Sequence, residues 1–342
     1  MIYINLLIIF LIIVFIHELG HYLVARFFNA HVTDFSIGFG KPFYQFKDRN
    51  NTVWKIAPIP LGGYVKIKGL DSIFSKNSIS ESGSFQTLSL FKKICVLLAG
   101  SVFNIISAWF VLFIIFFFFG ITTFLPIIGS VMENSAASIN DLQKGDKIIE
   151  INQIKISDFQ DIPMAIGNSS SINIIVERNN KIINKNFDLI FNKDLNKYII
   201  GISSSEDFII KKYNIYESLK NSLLFIPNYY ISSINFLKKS YNENTLSNQL
   251  AGPIGIVKMA DQMKLNKIKG VLLLFIVISL FVGLFNLLPI PLLDGGHIMY
   301  FIISRIFSNS LPEFVTRMYL VVGIAIISFL FIVVTFNDIF YK

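Results

Sequence analysis

The sequence predicts a polytopic α-helical membrane protein with about four transmembrane helices, a membrane-associated β element on the cytoplasmic side and one inserted α+β domain. Three observations predict it. Mean hydropathy is +0.60, far above the soluble range, and the excess is gathered in blocks. Four blocks, residues 1–28, 94–119, 270–293 and 318–336, are long enough to cross a bilayer; at 1.5 Å per residue each covers about 28–40 Å, against a hydrocarbon core of about 30 Å. The interval from 120 to 269 has no such block and instead carries short alternating runs.

Taken in order, the opening block has no charged side chain in residues 1–16. It lacks the basic start and small-residue cleavage site of a signal peptide, so it is expected to stay in place. Residues 29–93 form a loop. Between Arg26 and Lys93 lie ten Lys or Arg against four acids, Asp34, Asp48, Asp71 and Glu81. That excess places the loop in the cytoplasm. Gly38, Gly40, Gly62 and Gly63 with Pro42, Pro58 and Pro60 punctuate it, so Thr52–Ile56 and Gly62–Lys68 read as a bent β hairpin or sheet. Ser72–Ser89 reads as a polar loop. The second block holds Cys95, the single cysteine, which excludes a disulfide framework and reads as core filler.

The insert, residues 122–205, offers β-type runs at Ile127–Met132, Lys147–Asn152, Ile172–Glu177, Asn186–Ile190 and Tyr198–Ser203. A helical pattern at Phe159–Ile166 interrupts them. Residues 211–240 repeat apolar side chains at helical spacing between Lys pairs. They read as an amphipathic helix, either on the membrane surface or packed on the insert. Arg305 and Arg317 put the loop between the last two blocks in the cytoplasm, so both termini and residues 120–269 fall on the far side. The net charge of +8 therefore reads as topology and headgroup contact. No basic stripe interleaved with exposed aromatics suggests nucleic acid.

The chemistry is concentrated in His17-Glu18-Leu19-Gly20-His21. On a helix, residues i and i+4 share a face, so both imidazoles converge on one point at a separation that suits a metal. Glu18 lies about 100° round the helix from His17 and can reach a metal-bound water without being a ligand. Two His and a Glu inside a membrane span cost several kcal/mol unless they face a cavity and a partner. Zn²⁺, one per chain, is such a partner. A tetrahedral catalytic zinc needs a third protein ligand, and Asp294 in Asn286-Leu-Leu-Pro-Ile-Pro-Leu-Leu-Asp294-Gly295-Gly296-His297 is the best candidate. Pro289 and Pro291 are expected to break the third helix, and Gly295-Gly296 to form a tight turn aiming the carboxylate inward. A capping role for Asp294 and a ligand role for His297 stay open. His31 reads as a headgroup-level residue.

At this point the chain resembles the site-2 protease family of intramembrane zinc metalloproteases, in particular the bacterial regulator-of-sigma-factor type. The likeness is carried by HELGH at 17–21, Pro60-Leu-Gly-Gly-Tyr-Val-Lys66, Ala99-Gly-Ser-Val-Phe-Asn104, Gly252-Pro-Ile-Gly255 and the string 286–296. The insert resembles a single PDZ domain, most clearly at Gly145–Asn152. The resemblance implies His17, His21 and Asp294 as zinc ligands and Glu18 as catalytic acid/base. It further implies that Asn286, with Gly62, Gly63, Tyr64 and Val65 of the β element, holds an unwound substrate strand. Substrates would be single-span membrane proteins, such as anti-sigma factors or signal-peptide remnants, already trimmed of their outer domain. The setting would be the bacterial inner membrane, with the active site near the cytoplasmic face and the insert outside. Two departures stand out: Ser101 replaces the family's usual Pro, and Asp141 a usual Gly. An ion transporter and a silent peptide-binding scaffold are rival classes, distinguished by metal flux and by tolerance of Glu18→Gln.

Overall fold

The computed structural model describes residues 2–70, 82–192, 197–205, 207–242, 268–307 and 312–340. The chain divides into two compact units, residues 1–115 with 218–342, and residues 116–217. Among the described residues, four helices are long and apolar enough to cross a membrane: Ile4–Phe27, Leu90–Phe119, Ile268–Phe285 and Glu313–Phe340. They fit a multi-pass membrane protein.

In the first unit, helix α1 (Ile2–Phe27) leads into strands β1 (Val32–Phe39), β2 (Tyr44–Lys47), β3 (Val53–Ile56) and β4 (Ile59–Ile67). They form one sheet in the order β2-β3-β1-β4, with β1 parallel to β3 and antiparallel to β4. β4 is thus an edge. β1 and β2 escaped the sequence reading because Gly38, Gly40 and Pro42 interrupt the alternation of their apolar residues. Phe35 of β1 is fully buried and stacks on Trp54, 4.3 Å between ring centroids. Asp48 gathers the turn after β2: its carboxylate accepts from the Tyr22 hydroxyl at 3.1 Å, the Trp54 indole at 3.0 Å and the Thr52 amide at 2.9 Å.

Helix α2 (Leu90–Ile114) starts four residues before the expected boundary, taking in Lys92 and Lys93, and ends through a π-helical turn at Ile115–Phe119. One apolar cluster joins Tyr22 and Ala25 of α1, Phe35 of β1, Val96 of α2, and Tyr300 and Phe301 of a later helix. The sheet is therefore held against the helices by a common core.

In the second unit, a ribbon of β5 (Ile121–Phe124) and β14 (Phe208–Lys211) pairs Ile121 with Lys211. The compact body accordingly extends past 122–205, and Lys211 belongs to a strand rather than to the amphipathic helix. A four-stranded sheet runs β10-β9-β7-β8 (Lys181–Asp188, Ser171–Arg178, Lys147–Ile151, Ile154–Lys155). The expected strand at Tyr198–Ser203 is two, β12 (Lys197–Ile199) and β13 (Ile202–Ser204), interrupted at Gly201 with φ +85°. β6 (Ile128–Val131) pairs with β13 and β11 (Ile190–Asn192) with β12, α3 (Ala136–Ile139) is a single turn, and the helical pattern is a 3₁₀ turn, Phe159–Asp161, followed by a short helix, α4 (Ile162–Ile166). Ile128, Ile148, Ile151, Ile172, Ile174 and Val176 form the core.

Asp141 adopts φ +49°, a left-handed conformation that Asp tolerates better than most residues. Its carboxylate accepts at 3.2 Å from the Arg178 guanidinium, which also donates to the Asp141 carbonyl at 2.7 Å and grips buried Asp146 with two bonds of 2.6 and 2.7 Å. Burial alone would raise the Asp146 carboxyl, but these bonds outweigh it and hold it below the ordinary range. Arg178→Ala should destabilise the insert by about 3 kcal/mol, since it leaves a buried carboxylate unpaired. In the parent, that contribution is present above the ordinary carboxylate pKa of about 3.9 and disappears as pH falls through the lowered folded value. Hydrogen exchange across residues 128–204 of the full chain should accelerate at neutral pH; unchanged protection would contradict the pairing.

Returning to the first unit, helix α5 (Ile215–Asn242) covers the expected amphipathic stretch, and the Tyr230 hydroxyl donates to the Leu280 carbonyl at 3.1 Å. Helix α6 (Ile268–Phe285) ends eight residues short of the expected boundary at 293. Pro289 and Pro291 do prevent its continuation. Chain direction is restored by α7 (Asp294–Ile306), and α8 (Glu313–Phe340) completes the fold. The Gly252–Gly255 motif lies outside the described residues, as does much of the polar loop at 72–89.

Candidate metal centre

α1 and α2 pack closely because small residues face each other. At Gly20 a Cβ would stand 2.5 Å from the Ala99 carbonyl oxygen. The pairing buries His17 and His21 against α2. The His21 Nδ1 lies 2.8 Å from the Val96 carbonyl, so Nδ1 carries the proton and Nε2 presents its lone pair. The two Nε2 atoms are 3.2 Å apart. Asp294, the first residue of α7, brings Oδ2 to 3.2 Å from His17 Nε2 and 3.4 Å from His21 Nε2.

These three separations test whether a metal fits. Ligand atoms on a tetrahedral zinc at 2.0–2.1 Å are separated by about 3.3–3.4 Å. The donor set is two imidazole nitrogens and one carboxylate oxygen, all within 4.8 Å of one another. Asp294 Oδ2 is also buried with no hydrogen-bond partner among the described residues. An unpaired buried carboxylate oxygen between two imidazole lone pairs is unfavourable until a cation arrives. The residues fit zinc.

Asp294 does not cap the helix, since Leu293 holds the N-cap position and no side chain caps the first turn. It opens a helix, where a negative charge suits the dipole, and it converges with the histidines. The glycine pair behaves differently from expectation. Gly295 and Gly296 lie within the first turn of α7, and the left-handed turn falls on Leu292, φ +79°. His297 stays outside the three-donor group, with Nδ1 2.9 Å from the Leu293 carbonyl. His31 is also outside it, its backbone bonded to Gly83 and Lys68.

A cavity of about 430 Å³ opens at these donors. It is lined by Glu18, by Gly62, Gly63, Tyr64 and Val65 of β4, and by Asn286. The Glu18 carboxylate takes a hydrogen bond from the Val65 backbone amide. The residues that the resemblance implies for zinc, catalysis and substrate thus border one space. Two others went unremarked as site residues. Asn104 is fully buried with its amide 3.4 Å from His17 Nδ1, and its Oδ1 has no hydrogen-bond partner among the described residues. With His17 Nε2 turned to a metal, Nδ1 carries a proton and needs an acceptor; rotating the Asn104 amide by 180° supplies it. Gly100 lies directly beneath both imidazoles. The string Ala99–Asn104 marked the region but not these contacts.

A model of peptidase family M50 matches residues 5–330. The chain belongs to that family. Among relatives of this M50 chain is a protein of Rickettsia conorii, 35% identical over 96% of this chain and 95% of its own. A Campylobacter jejuni protein is 33% identical over 96% and 90%, and one from Agrobacterium fabrum 31% over 96% and 93%. All three carry the provisional name zinc metalloprotease. The M50 chain is accordingly a zinc metalloprotease of the site-2 protease family in a membrane setting.

Proposed function

We propose that this peptidase cleaves transmembrane segments of single-span membrane proteins in regulated intramembrane proteolysis, acting on chains whose outer domain has already been removed. Anti-sigma factors and signal-peptide remnants are the substrate classes that the family resemblance suggests. The observation that carries the reading is the shared cavity: a metal-binding trio, a neighbouring carboxylate and the edge strand β4 border one space at the membrane-spanning helices.

A transmembrane helix hides its carbonyls in internal hydrogen bonds, so cleavage first requires an unwound stretch whose freed groups are repaired at once. β4 supplies that repair by strand addition, and Asn286 holds the added strand from the opposite wall. His17, His21 and Asp294 hold the zinc, which when bound polarises the scissile carbonyl and acidifies water. Glu18 takes the proton from the attacking water and returns it to the leaving amine. Asn104 and the Val96 carbonyl keep the two imidazoles in the required tautomer.

In this reading the chain sits in the bacterial inner membrane. Residues 29–93 and the metal centre lie toward the cytoplasm. The second unit is a PDZ-like domain on the outer side, and α5 lies at the membrane surface. The test is to incubate detergent-purified protein with trimmed single-span proteins, with and without a chelator, and to weigh the products. We expect chelator-sensitive cleavage at bonds inside the span. Cleavage confined to soluble segments, or persisting in chelator, would overturn the proposal.

A further inference from the structure

We propose that α8 is a strut that holds Asp294 at the metal, with Tyr319 and Gly323 as its positioning residues. The inference rests on the reading of Asp294 as a zinc ligand. Asp294 follows an irregular stretch, residues 286–293, that contains two prolines and a left-handed leucine. The first turn of α7 has no side-chain cap, and Asp294 Oδ2 has no hydrogen-bond partner among the described residues. The carboxylate is therefore placed by whatever fixes the backbone on either side of it.

Two sets of contacts do so. Within the segment, the Gly295 amide donates to the Asn286 carbonyl at 2.8 Å and the Leu293 amide to the Ile290 carbonyl at 3.1 Å. From outside, the Tyr319 hydroxyl donates to the Gly296 carbonyl at 2.8 Å. One turn further along α8, a Cβ added to Gly323 would stand 2.4 Å from Pro291 Cβ and 2.6 Å from its carbonyl oxygen. α8 thus touches the segment on both sides of Asp294, three residues before it and two after.

The contacting residues share one face. Thr316, Tyr319 and Gly323 are spaced i, i+3 and i+7, and Thr316 lies 3.3 Å from the Tyr300 hydroxyl of α7. Thr316 and Gly323 are buried, whereas Val321, Val322 and Phe329 on other faces are 58%, 47% and 66% exposed. Through these positions α8 is placed against the segment whose position sets the third ligand. A hydrogen bond to a carbonyl two residues from a ligand restricts that ligand as an outer-shell partner does, and loss of such a partner weakens metal binding by about 10–100-fold.

The experiment measures zinc affinity of the purified full-length protein by competition with a chromophoric chelator, alongside the unfolding midpoint of the metal-free protein. Tyr319→Phe keeps the ring and removes the bond, and should weaken zinc binding about 10-fold. Gly323→Ala should weaken it at least as much. Val321→Ala, on an exposed face, should change nothing. The metal-free midpoint of Tyr319→Phe should stay near the parent's, because the contact is claimed to act on the ligand rather than on folding, whereas the clash in Gly323→Ala should lower its midpoint as well. Parental affinity in Tyr319→Phe would overturn the strut, as would an affinity loss there matched by an equal fall in its metal-free midpoint. If Gly323→Ala does not fold, Tyr319→Phe decides alone. Asp294→Ala is run in parallel: should it bind zinc as the parent does, the ligand reading itself fails, whereas weakened binding there with parental Tyr319→Phe sinks only the strut.

Discussion

Glu18→Gln should bind zinc like the parent and lose cleavage by at least about 10³-fold, the scale of a general base in a hydrolytic step. The amide is nearly isosteric with the carboxylate and keeps an acceptor for the Val65 amide, so the cavity should hold its shape. It cannot take a proton from water. Because Glu18 is not among the three converging donors, metal content should not change. Stoichiometric zinc combined with normal product formation would remove Glu18 from the reaction and leave the cavity without a base. Loss of zinc together with activity would instead make Glu18 part of the metal's support.

How far the site could be read in advance follows from the cost of charge in lipid. His17, Glu18, His21 and Asp294 stand out in apolar sequence because ionisable groups there are expensive and need partners. A residue at i and another at i+4 share a face whatever the tertiary structure, so the histidine pair was legible locally. Asp294 was legible as the other acid set in an apolar stretch, and the structure brings it to 3.2 Å from His17. What could not be read was everything that depends on a backbone passing close by. The Val96 carbonyl that fixes His21 has no side-chain signature. β1 and β2 do alternate, at Phe35, Ile37 and Phe39 and at Tyr44 and Phe46, but Gly38, Gly40 and Pro42 among them mask the strands. The glycines after Asp294 suggested a turn by their dihedral freedom, yet they serve close approach: a Cβ on Gly296 would stand 2.1 Å from the Ile290 carbonyl oxygen. Glycine advertises permissiveness, and only the packed neighbour tells which use is made of it.

That distinction makes Gly100 the most sensitive position on α2. A Cβ there would sit 2.4 Å from His21 Nε2 and 2.6 Å from His17 Cε1, distances that non-bonded carbon and nitrogen do not tolerate. Neither ring can step aside. His21 is tied through Nδ1 to Val96, and His17 is packed against Asn104. α2 itself cannot withdraw without separating from α1 at Gly20. We therefore expect Gly100→Ala, a change of one methyl group in an apolar helix, to weaken zinc binding by about 10²-fold or more and to abolish cleavage with it, since a ligand displaced by a fraction of an ångström no longer completes the tetrahedron. As alanine favours helix over glycine, the helix should not be lost, and helical content by circular dichroism should match the parent. Zinc titration of the purified variant checks the expectation. Parental affinity would mean that the imidazoles are free to move, and the close packing of α1 on α2 would then not be what aims them at the metal.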